Sequence, residues 1–215
     1  DEHFRGLIDD LPGAQITFDL GDETILAREG SVPAKAKEPE LRVGRMSYKA
    51  VVIPSMATIS PAVYQLLREF ESAGGRIILC GEPPSRLDGT EDRQLAEWMK
   101  DRTRCGRTGL AATLRSSLET AISIARIEKG NTDLFWVHVR DLPDGQRLAL
   151  LVNLDRRESI DADVVFDGAW RSATRLDDER GEERPQPMAS EGKASRMSIE
   201  LPPLRQRRED IEPLA

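Results

Sequence analysis

Cys80 is the side chain best placed to act as a nucleophile, and the sequence around it does not complete the chemistry. It follows the apolar run Ile77–Leu79 and precedes Gly81, which puts it at a strand end, where parallel sheets bind their ligands. A cysteine attacks as thiolate and needs a base beside it, most often histidine. The two histidines are His3, ahead of the sheet, and His138, in a strand of a later region, so no base is expected near Cys80. The reading is a small buried apolar residue. With Cys105 the only other cysteine, neither a disulfide framework nor a metal quartet is expected, and no cofactor either.

Carboxylates come next, because glycoside hydrolysis takes two acids flanking a sugar. Asp22, Glu23, Glu82 and Asp88 are the acids near strand ends. Asp22 and Glu23, being adjacent, diverge on a helix and suit its positive N-terminal end instead. A phosphate or flavin site needs a glycine- and hydroxyl-rich loop after the first strand. The loop here, Asp19-Leu20-Gly21-Asp22-Glu23, is acidic and repels phosphate. No lysine stands at a later strand end, as a receiver-type phospho-acceptor site requires. What remains is a candidate strand-end pocket of Asp19, Ser55, Cys80 and Glu82, with no catalytic residue assigned. Trp136 and Trp170 are candidate sugar contacts, set against the commoner role of a tryptophan in a β-sandwich, which is core.

The elements that position these residues are read best from Tyr48 to Gly89. Ala50–Ile53 is a short run rich in β-branched residues, as in a strand buried on both faces, and Pro54 stops it. Ser60 is a good N-cap with Pro61 at the first helical position. Val63, Leu66, Leu67 and Phe70 follow at helical spacing, and Gly74-Gly75 ends the helix. Ile77–Leu79 is the second strand. Strand, helix and strand make a βαβ unit with parallel strands.

Upstream, His3–Leu11 has helical spacing broken by Pro12-Gly13, and Ile16–Leu20 reads as the first sheet strand. Asp22-Glu23 opens a short helix that Gly30 stops. Ser31–Glu40 reads as a solvated loop and Leu41–Tyr48 as a short strand or turn. Downstream, Asp92 caps a helix to Lys100 burying Leu95, Trp98 and Met99, and Gly109–Leu118 is another helix. From Ile122 the pattern changes to strands between turns. Leu134–Arg140 and Arg147–Asn153 flank a Pro-Asp-Gly hairpin signal, and Val164–Phe166, Ala173–Leu176 and Met197–Leu201 follow. Asp167-Gly168, Arg180-Gly181 and Glu191-Gly192 supply turns. The expected fold is α/β: a three-layer sandwich with a mainly parallel sheet over residues 1–120, then a smaller antiparallel β-sandwich over 121–215. The tail Arg205–Ala215 reads as solvated surface.

A tyrosine before "VVIP", a helix ending in "AGG" and a strand running into "GEPPSRLDG" resemble the flavodoxin-like accessory domain of certain bacterial glycoside hydrolases. Similar in pattern are the trimerisation domain of family 42 beta-galactosidases and its equivalent in large rhamnosidase-like enzymes. That fold is related to the class I glutamine amidotransferases. "FDLGDETIL" upstream fits the same layout, and "LVNLD", "LDDERGEE" and "IELPP" resemble the β-domain that follows it. The resemblance implies a non-catalytic segment that supports or oligomerises a catalytic barrel, whose acids lie on that barrel. Its partners would be the parent's catalytic domain, a second copy of itself, or carbohydrate. Two alternatives stand beside it: an amidotransferase-like enzyme using Cys80, and a sugar-binding module. The first lacks a base and the glycine two residues before Cys80, where Ile78 stands.

The totals agree. A net charge of −7 argues against a nucleic-acid binder, and no run approaches a membrane span. No signal-peptide pattern opens the chain, which leaves the compartment open with the cytoplasm favoured. Beginning DEHFRG, without Met, the chain reads as a fragment of a longer polypeptide or a processed one.

Overall fold

A computed structural model describes residues 2–34, 36–118, 120–142, 144–177 and 181–204. The chain divides into two compact units, Asp1–Ile8 with Asp19–Leu118, and Asp9–Phe18 with Glu119–Ala215. The tail read as solvated surface lies outside the described residues.

The first unit is mixed α/β. Its parallel sheet has three strands in the order Ala50–Pro54, Arg76–Cys80, Thr103–Cys105, with Val51 opposite Ile77 and Ile53 opposite Leu79. The central strand is the most apolar, and Ile77, Ile78, Leu79 and Cys80 are all buried. The helix Pro61–Ser72 connects the first two strands. Ser60 caps it, its Oγ accepting the Val63 N–H at 3.4 Å, while Glu23 Oε2 accepts the Ser60 N–H at 3.0 Å. Its inner face buries Val63, Tyr64, Leu66, Leu67 and Phe70. At Gly75 the chain turns so closely under Phe70 that any Cβ would fall on the aromatic ring. These side chains share one core with Leu41, Ile53, Ile59, Leu79, Leu95 and Met99.

Shorter pieces complete the unit. Asp22 caps the helix Glu23–Glu29 through the Ile25 N–H, and Asp92 caps Arg93–Lys100 through Leu95. Trp98, expected in the core, is only partly buried. Its indole N–H donates to Glu71 at 2.7 Å, and Arg102, paired with Glu71, lies over its ring. Arg107–Ser117 is the last helix. Gly30–Ser31, Leu41–Val43 and Met46–Tyr48 form a small antiparallel sheet, and Tyr48 and Met56 pack against the unit's own core.

One expected element is missing. Ile16–Leu20 makes no strand ladder. The Ile16 N–H instead returns to the Leu11 carbonyl at the end of the helix Glu2–Gly13, and the Asp19 carboxylate is held by the Tyr48 hydroxyl at 2.8 Å. The alternating composition suits a strand, but the hydrogen bonds go elsewhere.

The second unit is rich in antiparallel β structure. One sheet runs Ile122–Lys129, Ile160–Asp167, Ala194–Leu201, Ala189–Glu191. A hairpin pairs Phe135–Asp141 with Arg147–Asn153, and another pairs Ala173–Asp177 with Glu182–Gln186. Strict alternation sends Ile160, Ala162, Val164 and Phe166 inward from the sheet and Phe135, Val137 and Val139 inward from the first hairpin, into one core. Leu148 and Leu150 point the other way and are 50% and 60% exposed.

Candidate functional site

Of the strand-end candidates, Ser55 and Cys80 stand at the ends of neighbouring strands. Cys80 is fully buried, and Ser55 follows directly on Pro54, the register partner of Cys80. The loops behind them are tied by the Met56 N–H donating to the Glu82 carbonyl at 3.2 Å. Between them sits Gly81, at φ +116°, where a Cβ would stand 2.9 Å from Ser55 Cβ and 3.2 Å from His3 Nε2. Ser55 and His3 thus stand close to this glycine. Asp19 is engaged with Tyr48, and the Glu82 side chain is exposed.

His3 corrects the expectation that no histidine comes near Cys80. The helix Glu2–Gly13 brings its Nε2 to 2.9 Å from the Cys80 carbonyl oxygen. A carbonyl only accepts, so Nε2 carries the proton in this contact and cannot take one from the thiol through that atom. The histidine ties helix to strand end. No sequence signal could have found it, because the two residues lie 77 positions apart.

Three of the four acids near the strand ends, Asp22, Glu23 and Asp88, have structural roles. Asp22 and Asp92 cap helices and Glu23 holds the Ser60 N–H. Asp88, at φ +47°, and Gly89, at φ +82°, form the two-residue turn between Arg86–Leu87 and Thr90–Glu91, the backbone that an Asp-Gly pair favours. A shallow groove of about 500 Å³ lies along the Pro61–Ser72 helix, lined by Val32, Gln65, Arg68, Glu69 and Ser72, with no aromatic ring to stack on a sugar. Among the described residues no group of three or more His, Cys, Asp or Glu is arranged to hold a metal ion, and no helix is long and apolar enough to cross a membrane.

The two tryptophans part company. Trp170 is built into the second unit: its indole N–H donates to the Asp167 carbonyl at 2.7 Å and its main-chain N–H to Ser195 Oγ at 2.9 Å. Arg147 lies over the ring, 4.9 Å from its centroid, so that face is covered by guanidinium. The same guanidinium grips Asp141 with two hydrogen bonds and reaches the carbonyls of Ala121 and Asp167. Trp136 lies on the outer face of its hairpin, half-buried and opposite Val152, with His138 and Leu150 as the next pair.

The "LVNLD" run is structural as well. Asn153 is buried, its amide donating to the carbonyls of Glu158, Leu201 and Pro202 and its Oδ1 accepting the Asp155 N–H. Asp155 in turn accepts the N–H groups of Arg157 and Glu158, which hold its carboxyl below the ordinary aspartate range. A main-chain bond from Leu204 to Asp155 closes the knot at 2.7 Å.

No family model matches the chain, and no curated protein matches its sequence. A solved structure does match: a rhamnosidase from Novosphingobium sp. PP1Y, with a TM-score of 0.62 over 88% of this chain. The chain folds like a segment of a rhamnosidase. At 13% identity it is the fold that is shared, and the chain spans 19% of that enzyme's length. The shared fold is an α/β unit plus a β-rich unit.

Proposed function

We propose that this chain is a non-catalytic accessory segment of a bacterial carbohydrate-active enzyme, a glycoside hydrolase, that supports or orients a catalytic barrel. In this reading residues 1–120 are the flavodoxin-like accessory domain and 121–215 the β-sandwich that follows it. The observation that carries it is the fold match to a segment of a rhamnosidase spanning 88% of this chain and 19% of the enzyme. Three of the strand-end acids support it, since Asp22 caps a helix, Glu23 holds the Ser60 N–H and Asp88 builds a turn. Cys80 is buried, and its histidine neighbour is bonded to the main chain, which disfavours the amidotransferase-like alternative. The cover of Arg147 on one face of Trp170 disfavours the sugar-binding alternative. Trp136 keeps a place on an outer face beside exposed leucines, which suits contact with protein better than with hydroxyl groups.

The test is turnover. The purified chain should release no chromophore from aryl rhamnosides or galactosides, while the polypeptide encoded by the whole reading frame should do so. Hydrolysis by the chain alone, abolished by Glu82→Gln or Asp88→Asn, would overturn the reading.

A further inference from the structure

Cys80 and Cys105 are the only cysteines in the sequence, and the fold sets them opposite each other. Each ends a strand, Arg76–Cys80 and Thr103–Cys105, and the two are register partners in the parallel ladder. Partners in such a ladder project from the same face, on strands about 4.8 Å apart. That separation lies within the Cα–Cα range of about 4.4–6.8 Å that a disulfide spans, though the Cβ atoms must draw together toward about 3.8 Å. Thr103–Cys105 can lean inward. It is three residues long, lies at the sheet edge with a neighbour on one side, and faces Gly109, which has no side chain to obstruct it.

Accessibility divides the pair into two roles. Cys105 is half-buried and open to a small oxidant, while Cys80 is fully buried beside it. Neither is in a disulfide, and among the described residues no third ligand joins them in a metal site. We infer that Cys80 and Cys105 are a reversible redox site, in which hydrogen peroxide oxidises Cys105 and Cys80 then closes a disulfide on it. In the first step the Cys105 thiolate attacks the peroxide O–O bond, forming the sulfenic acid and releasing hydroxide, which a proton converts to water. In the second the Cys80 thiolate attacks the Cys105 sulfur, forming S–S and breaking the S–O bond, and the hydroxide that leaves takes up a proton to give the second water. Two thiols lose two electrons and two protons, and one peroxide becomes two waters. Because the edge strand must lean to close the bond, the disulfide is easily reduced, as suits a switch. It would pin the edge strand to the sheet and enclose the helix Arg93–Lys100 in a covalent loop.

The experiment is peroxide titration of the reduced full chain, followed by intact mass and a non-reducing peptide map. The expected result is a mass loss of about 2 Da, reversed by dithiothreitol, with the Cys80 and Cys105 peptides joined within one chain. In Cys80→Ala, peroxide should leave a sulfenic acid on Cys105 that dimedone captures; should that variant not fold, the wild-type map decides. Both thiols still alkylatable after peroxide and a denaturing quench would overturn the inference. So would advance of Cys105 to sulfinic acid in the wild type, or disulfides formed only between chains.

Discussion

Replacing Arg147 with alanine should weaken the second unit by far more than its charge alone suggests. The side chain is 13% exposed, whereas its ion-pair partner Asp141 is 66% exposed. A pair that open to water contributes at most about 1 kcal/mol. The larger losses lie elsewhere. The carbonyls of Ala121 and Asp167, 3.2 and 3.1 Å from the guanidinium, each lose a donor, and Trp170 loses the cation over its ring. At about 0.5–1.5 kcal/mol per hydrogen bond and about 0.5–1 for the ring contact, the total comes to about 1.5–4 kcal/mol. Arg147→Lys keeps the charge without the planar fork and should fall between wild type and alanine. Asp141→Asn should cost under about 1 kcal/mol. The assay is urea unfolding followed through the Trp170 indole N–H resonance, which reports on this knot. An Arg147→Ala loss below about 0.5 kcal/mol, or an Asp141→Asn loss as large as that of Arg147→Ala, would refute the reasoning.

Other perturbations test other parts of the molecule. Phe70→Ala empties the centre of the first core and should cost about 3–5 kcal/mol, seen as a lower thermal midpoint. Asn153→Ala leaves three carbonyls and the Asp155 N–H without their side-chain partner and should cost about 2–4 kcal/mol by denaturant titration, whereas Leu154→Ala next to it should cost less. Asp155 carries a depressed pKa because two main-chain N–H groups bind its charged form. Its contribution to stability is therefore complete above the unfolded aspartate value of about 3.9 and is lost as pH falls through the lower folded value. Asp155→Asn should flatten the stability–pH curve in that acid window and leave its shape near neutrality unchanged.

Local chemistry alone determined much of this protein. Ser60-Pro61 and Asp92 could be read as helix starts because a cap needs only its own next three residues. Ala50–Ile53 and Ile77–Leu79 could be read as strands because each is an unbroken apolar run rich in β-branched residues. The alternation of Phe135–Val139 and Arg147–Asn153 fixed which side chains face inward, since a strand's period is two. Tertiary structure decided what depends on distant partners. Ile16–Leu20 has the composition of a strand, yet its groups bond to Leu11 and Tyr48, and no local pattern encodes that choice. No local pattern brings Arg147 over Trp170; only folding does. His3 reaches Cys80, and Cys105 faces it across the ladder, because chain topology rather than spacing sets which strand ends and helices meet. Hydrogen bonds and ring contacts between remote residues are properties of the packed state, where a partner's identity is chosen by geometry.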